Sequence, residues 1–192
     1  MKTAISYTEA HDLFDKHFKG TTMRHHSLGT EAAMRAVARS LGQDEEFWGI
    51  VGLLHDLDME SINGDLSKHG TKTVELLRAE GYDIPELFTP ILAHTEVLAD
   101  SPYRRDSLLD YILSGTENLE GFISAYVAVR PSRSIIGAES KSIVKKMKDK
   151  SFANNVNREA ILDAFEHSKI DRSEYIQLVI DALSEVADKV GM

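Results

Sequence analysis

Phe47-Trp48-Gly49-Ile50-Val51-Gly52-Leu53-Leu54-His55-Asp56 is an apolar run that ends on a histidine and an aspartate. A run of this composition is expected to be buried. A histidine beside an aspartate in a buried segment must be hydrogen-bonded, ion-paired or bound to metal, because unpaired polar groups are costly away from water. Just upstream, Asp44 followed by Glu45 and Glu46 offers a cap and an acidic first turn, so the run reads as a helix carrying His55 and Asp56 at its end. The pair points to a metal site.

Working outward, the chain reads as helical almost throughout. Between Thr22 and Leu41 one face collects His26, Thr30, Ala33, Val37 and Leu41, a spacing that fits the helical period and turns His26 inward. Further helices are expected near 70–80, 86–98, 106–129 and 156–167. A last helix should begin after Asp171, whose spacing to Glu174 resembles a capping box, with Ile176, Val179, Leu183, Val186, Ala187 and Val190 along its apolar stripe. Ser61-Ile-Asn-Gly-Asp65 reads as a turn and Ala99-Asp-Ser-Pro102 as a break. No segment alternates convincingly as a strand, and no internal repeat or low-complexity tract is evident.

Composition narrows the chemistry. At 192 residues with 42% hydrophobic content the chain can bury a proper core as one domain. It has no cysteine, so disulfides and thiolate zinc sites are excluded, and any metal must be held by histidine, carboxylate and water. That favours the harder divalent cations. The opening Met1-Lys-Thr-Ala-Ile-Ser-Tyr7 leads into a charged segment, so neither signal peptide nor membrane span is expected, and the cytoplasm is the expected location. A formal charge of -9 argues against broad nucleic-acid binding.

Of the eight histidines, His11, His17 and His167 lie in charged amphipathic stretches and are expected at the surface. His25 points about 100° away from His26 on a helix, so only one of the two can easily face a shared site, and His26 is the choice. The remaining set is His26, His55, Asp56, His69 and His94, with a carboxylate from the helix after Asp106.

That ordered series resembles the HD-domain superfamily of metal-dependent phosphohydrolases, whose signature is a histidine, a His-Asp pair and a distant aspartate. Arg24-His-His-Ser-Leu28 resembles the first motif and Gly52-Leu-Leu-His-Asp-Leu-Asp58 the second. Tyr126-Val-Ala-Val-Arg-Pro131, Val144-Lys-Lys-Met-Lys-Asp-Lys-Ser-Phe-Ala153 and Asn157-Arg-Glu159 extend the likeness to a subgroup of uncharacterised predicted HD hydrolases. The resemblance implies an all-α HD-domain helical bundle, a single HD-type domain over 1–192 with its motifs in 22–129 and a helical extension in 130–192. It also implies that His26, His55 and Asp56 ligate metal. Where the subgroup has Ala-Asp-Glu-Leu-Thr-Gly-Phe-Ile, this chain has Thr116-Glu-Asn-Leu-Glu-Gly-Phe-Ile123, so the final aspartate falls on Glu117. The extra methylene moves that carboxylate by roughly 1.5 Å unless the backbone or rotamer adjusts. His69 and His94 fall where some relatives complete a second metal site and where others contact the phosphate. The His-Asp-x-Gly-Lys lysine is missing, as is the Gly-Tyr-Pro signature of cyclic-dinucleotide phosphodiesterases, which disfavours that subclass.

Imidazoles and carboxylates with open positions suit a divalent cation that binds water and a phosphate oxygen together. One or two ions are compatible, and Mn, Fe, Mg, Co, Ni and Zn are not distinguished. Asp58 and Glu60 follow the motif closely and are the candidates for orienting or deprotonating the water, Asp58 first. Between Arg130 and Lys150 seven basic residues face only Glu139 and Asp149, which makes Arg130 and Lys145 candidate phosphate contacts. The expectation is a phosphohydrolase of a small phosphate ester, a nucleotide among the candidates. The alternatives are a silent HD-fold nucleotide-binding or regulatory protein and, behind it, a di-iron oxygenase. Oligomeric state is not legible.

Overall fold

The computed structural model describes residues 1–98 and 100–192. Ten α-helices follow one another: α1 (Tyr7–His17), α2 (Thr21–Ser40), α3 (Glu45–Leu54), α4 (Thr71–Ala79), α5 (Pro85–Ala93), α6 (Leu108–Val129), α7 (Ser140–Lys146), α8 (Arg158–Ser168), α9 (Arg172–Glu185) and α10 (Ala187–Val190). Short 3-10 turns occupy Leu66–Lys68 and His94–Val97. Among the described residues no strand forms, and one isolated parallel bridge joins Lys2 to Tyr82. The protein is an all-α helical bundle, as the periodicity indicates.

The ends of the helices follow local chemistry. Asp44 caps α3 by accepting from the Phe47 N–H, and Asp171 caps α9 by accepting from the N–H groups of Ser173 and Glu174. Ser107 and Asp110 form a reciprocal capping box at the start of α6. The helix expected near 86–98 ends at Ala93 and tightens into the 3-10 turn that carries His94. Two helices carry no expectation of their own: α1, in the charged N-terminal stretch, and α7, in the basic segment. Of the expected break at Ala99-Asp-Ser-Pro102, Ala99 lies outside the described residues, and Asp100–Pro102 are non-helical.

Helix α2 is the hub, packed on α3, α6 and α9, while α8 lies along α6. Its inward face buries Thr30, Ala33, Met34, Val37 and Ala38. Helix α3 is buried from Trp48 through Leu54, which is why its sequence is apolar all round. Full burial of side chains such as Leu53 and Leu54 contributes about 1.5–3 kcal/mol each, so the helix that ends on His55 is firmly anchored. The α6–α8 contact depends on Gly115, where a Cβ would lie 2.2 Å from the Ala164 Cβ and 2.6 Å from the Ala160 carbonyl oxygen. That close approach fixes the stretch of α6 two residues before Glu117. Among the described residues no helix is long and apolar enough to cross a membrane.

Candidate metal centre

Helix α3 stops at Leu54, and the next residue turns its ring back: the His55 Nδ1–H donates to the Gly52 carbonyl at 2.7 Å. The same device ends α5, where the His94 Nδ1–H donates to the carbonyl of Ile91, also three residues back. Each histidine thereby satisfies a carbonyl at a helix end and projects Nε2 forward. His69 is held by a carboxylate instead, donating Nδ1–H to Asp58 Oδ1 at 2.8 Å. His26, on α2, donates Nδ1–H to Glu120 Oε2 at 2.5 Å.

With all four Nδ1 protons committed, four Nε2 atoms converge on the carboxylate of Asp56. His69, His55, His94 and His26 approach it at 3.3, 3.4, 3.5 and 3.7 Å. The Nε2 atoms of His69 and His94 lie 2.9 Å apart. In neutral rings both present lone pairs, an arrangement that repels unless positive charge sits between them. His55 Nε2 is buried without a hydrogen-bond partner. Glu117 brings Oε2 to 3.9 Å from His26 Nε2. His26, His55 and Glu117 can each offer one atom within 4.8 Å of the others, and so can His55, Asp56 and His94. This buried group of imidazoles and carboxylates could hold a metal ion, and its donor set fits a divalent cation.

The electrostatics agree with the geometry. Burial pushes the His55 imidazole down to about 3, so its Nε2 remains a bare lone pair at neutral pH. Burial also opposes charge on His26, yet Glu120, Asp56 and Glu117 outweigh it and push His26 up to about 10. Burial raises Glu117 to about 8 against the attraction of His26. Burial opposes ionisation of Asp56, but the surrounding imidazoles, His55 first, hold it well below the usual carboxylate range. Three carboxylates thus crowd a place where positive charge is favoured.

The structure brings His26, His55, Asp56, His69, His94 and Glu117 together, and it turns His25 away, against Gly191. It gives the other candidates different partners. Asp58 is fully buried and both its oxygens are engaged: Oδ1 accepts from His69, and Oδ2 accepts from the backbone N–H groups of Gly70 and Thr73 at 2.7 and 3.1 Å. It orients His69. Gly70 makes this possible, since its φ of +73° suits glycine and a Cβ there would meet the Ile91 carbonyl oxygen at 3.0 Å. Glu60 accepts from the N–H groups of Lys19 and Gly20 at the start of α2, with 2.6 Å to Gly20. Arg130 donates to the carbonyls of Ser134, Ile136 and Gly137, and Lys145 is exposed on α7; neither lines the cleft over the cluster. His11 and His17 are half-buried partners of Glu31 and Glu80 rather than surface groups.

Glu60→Ala is accordingly expected to cost about 1 kcal/mol, the scale of a lost helix cap, lowering the melting temperature by about 2–4 °C. Metal content should not change. Unaltered melting together with lost turnover would instead return Glu60 to the chemistry.

Sequence reasoning missed Glu120, which is buried and also accepts from the Ser124 hydroxyl at 2.6 Å. Its one signal in sequence is the spacing of one turn from Glu117, close enough for both to reach one neighbour, here His26. Also missed were Asn118, Asn155 and Asn157, which line a cavity of about 200 Å³ over the cluster with Thr95, Met59 and Leu98.

A family model described as HD domain matches residues 23–120, just over half of the chain. No curated protein sequence and no solved structure matches it.

Proposed function

Since the chain belongs to the HD-domain family, we propose that it is a divalent-metal-dependent phosphohydrolase acting on a small phosphate ester. The observation that carries this reading is the convergence of four Nε2 atoms on the Asp56 carboxylate, with every Nδ1 already committed. His26, His55, Asp56 and Glu117 would hold one ion; His69 and His94, sharing Asp56, would hold a second. Bound there, a divalent cation offsets charge on the phosphoryl oxygens and makes water a competent nucleophile near neutral pH.

The chain's own contribution is orientation. Glu120 fixes His26, Asp58 fixes His69, and helix-end carbonyls fix His55 and His94. Among the described residues that line the cleft, the carboxylates are Asp56 and Glu117, so no side chain outside the donor set is assigned as base. Met59, Leu66, Val97 and Leu98 give the cleft an apolar side. We read the chain as one HD-type domain with residues 130–192 as its extension, because α8 packs on α6 and α9 on α2.

Two experiments test these roles. Glu117→Ala should lower metal affinity and strongly impair turnover, whereas Glu117→Asp keeps a donor of shorter reach and should retain both in part. An alanine variant equal to the parent in both respects would remove Glu117 from the site. Asp58→Asn retains the side-chain size but weakens the grip on His69, and a loss of about 10–100-fold in metal affinity or turnover is expected. Unchanged values would mean that His69 needs no carboxylate to orient it.

A further inference from the structure

The cleft over the cluster, at about 200 Å³, lies below the roughly 300–1,000 Å³ usual for whole small-molecule sites. It has room for the phosphoryl group and little more. A second cavity of about 450 Å³ adjoins it, lined by Glu96, Val97, Arg105, Asn157, Glu159, Leu162 and Asp163. Val97 and Asn157 line both cavities.

Resting on the hydrolase reading above, we propose that this second cavity receives the leaving group and selects phosphate monoesters of neutral, hydroxyl-bearing alcohols over substrates with a second phosphate. Its charge is the first reason. Among the described residues lining the two cavities, histidines aside, Arg105 is the one cation, and two of its nitrogens are engaged: Nε donates to Glu96 at 2.7 Å and Nη2 pairs with Asp163 at 3.1 Å. Its third nitrogen, Nη1, is buried without a hydrogen-bond partner, so one guanidinium charge stands against the carboxylates of Glu96 and Asp163. Glu159 adds a further carboxylate. A second phosphate would meet uncompensated negative charge.

The amides are the second reason. The Asn157 Oδ1 caps α8 by accepting from the Ala160 N–H at 3.0 Å, which leaves its NH2 for the cavities it lines. Asn155 is exposed at the cleft, and among the described residues its side chain makes no hydrogen bond. The Asn157 NH2 can donate to a hydroxyl oxygen, and the Asn155 carboxamide can both donate and accept, so hydroxyl groups are matched without requiring charge. In the reaction a P–O bond forms to the water oxygen and the P–O bond to the alcohol breaks. The alcohol leaves with a proton, and the products are ROH and inorganic phosphate.

The test uses the full metal-loaded chain with p-nitrophenyl phosphate, fructose 6-phosphate, fructose 1,6-bisphosphate, AMP and ADP. Expected is kcat/KM at least about tenfold higher for fructose 6-phosphate over the bisphosphate, or for AMP over ADP, and the preferred arm identifies the alcohol as sugar or nucleoside. Asn157→Ser and Asn157→Thr, which keep a capping oxygen and add no charge, should raise KM for the preferred ester about fivefold more than for p-nitrophenyl phosphate. Glu159→Gln should narrow the discrimination against the second phosphate. Turnover of p-nitrophenyl phosphate with bisphosphate and ADP used equally well, or amide variants that affect every substrate alike, would overturn this assignment and leave the hydrolase reading standing. Turnover of no phosphate ester would overturn both.

Discussion

Replacing His55 with glutamine is expected to strip the protein of tightly bound divalent metal and to reduce phosphate-ester turnover by roughly two orders of magnitude or more. The expectation follows from position. His55 belongs to both groups of converging donors, and its Nε2 lies 3.4 Å from the carboxylate of Asp56, which both proposed ions share. Its Nε2 is buried and unpartnered, and burial keeps the ring neutral, which together describe a lone pair held ready for a cation. Glutamine approximates the volume of the ring and avoids opening a cavity behind α3. Circular dichroism and melting should therefore stay near those of the parent while elemental analysis shows the loss. A folded glutamine variant with full metal content would exclude His55 as a ligand.

Gly115→Ala is expected to be the most damaging small substitution in the fold. Alanine has the better helix propensity by about 1 kcal/mol, so an exposed helix would gain from it. Here the added methyl would lie 2.2 Å from the Ala164 Cβ and 2.6 Å from the Ala160 carbonyl oxygen, and the second neighbour is backbone. Separating α6 from α8 costs about 3 kcal/mol or more on the scale of overpacked cores, which exceeds the propensity gain. The net loss of about 2 kcal/mol corresponds to a fall of about 4–8 °C in melting temperature for a chain of this size. Ala164→Gly in the same chain should restore only part of it, because the Ala160 carbonyl remains. A melting temperature that rises in the single variant would show that α6 and α8 do not pack this closely.

The helical class was legible because the apolar positions of α2, α3, α6 and α9 recur at helical spacing and Asp44 and Asp171 announce their starts. The cluster was legible through His26 and His55-Asp56, whose neighbours are too apolar for solvated groups. What failed were distinctions that depend on the far side of a contact. Asp58 looks like a free carboxylate in sequence, yet three donors from residues 69, 70 and 73 consume its oxygens. Glu60 serves a helix start some forty residues earlier in the chain, a pairing that no local pattern encodes. Arg130 is absorbed by carbonyls of its own loop. Glu120 went unnoticed because a carboxylate on a long helix reads as a solvated face until His26 is placed against it. Asn118 reads as one more polar position on α6, and Asn155 and Asn157 come from the segment after α7, whose place beside the cluster depends on how α8 packs along α6.

The most direct test is a single series on the full chain: elemental analysis as purified, after chelation and after reloading with Mn, Fe, Co, Ni, Zn or Mg, with p-nitrophenyl phosphate hydrolysis measured at each stage. One or two divalent ions per chain are expected, with turnover lost on chelation and recovered on reloading. Absence of bound metal under all loading conditions, or phosphate-ester turnover that persists undiminished after complete chelation, would contradict the metal-dependent hydrolase reading.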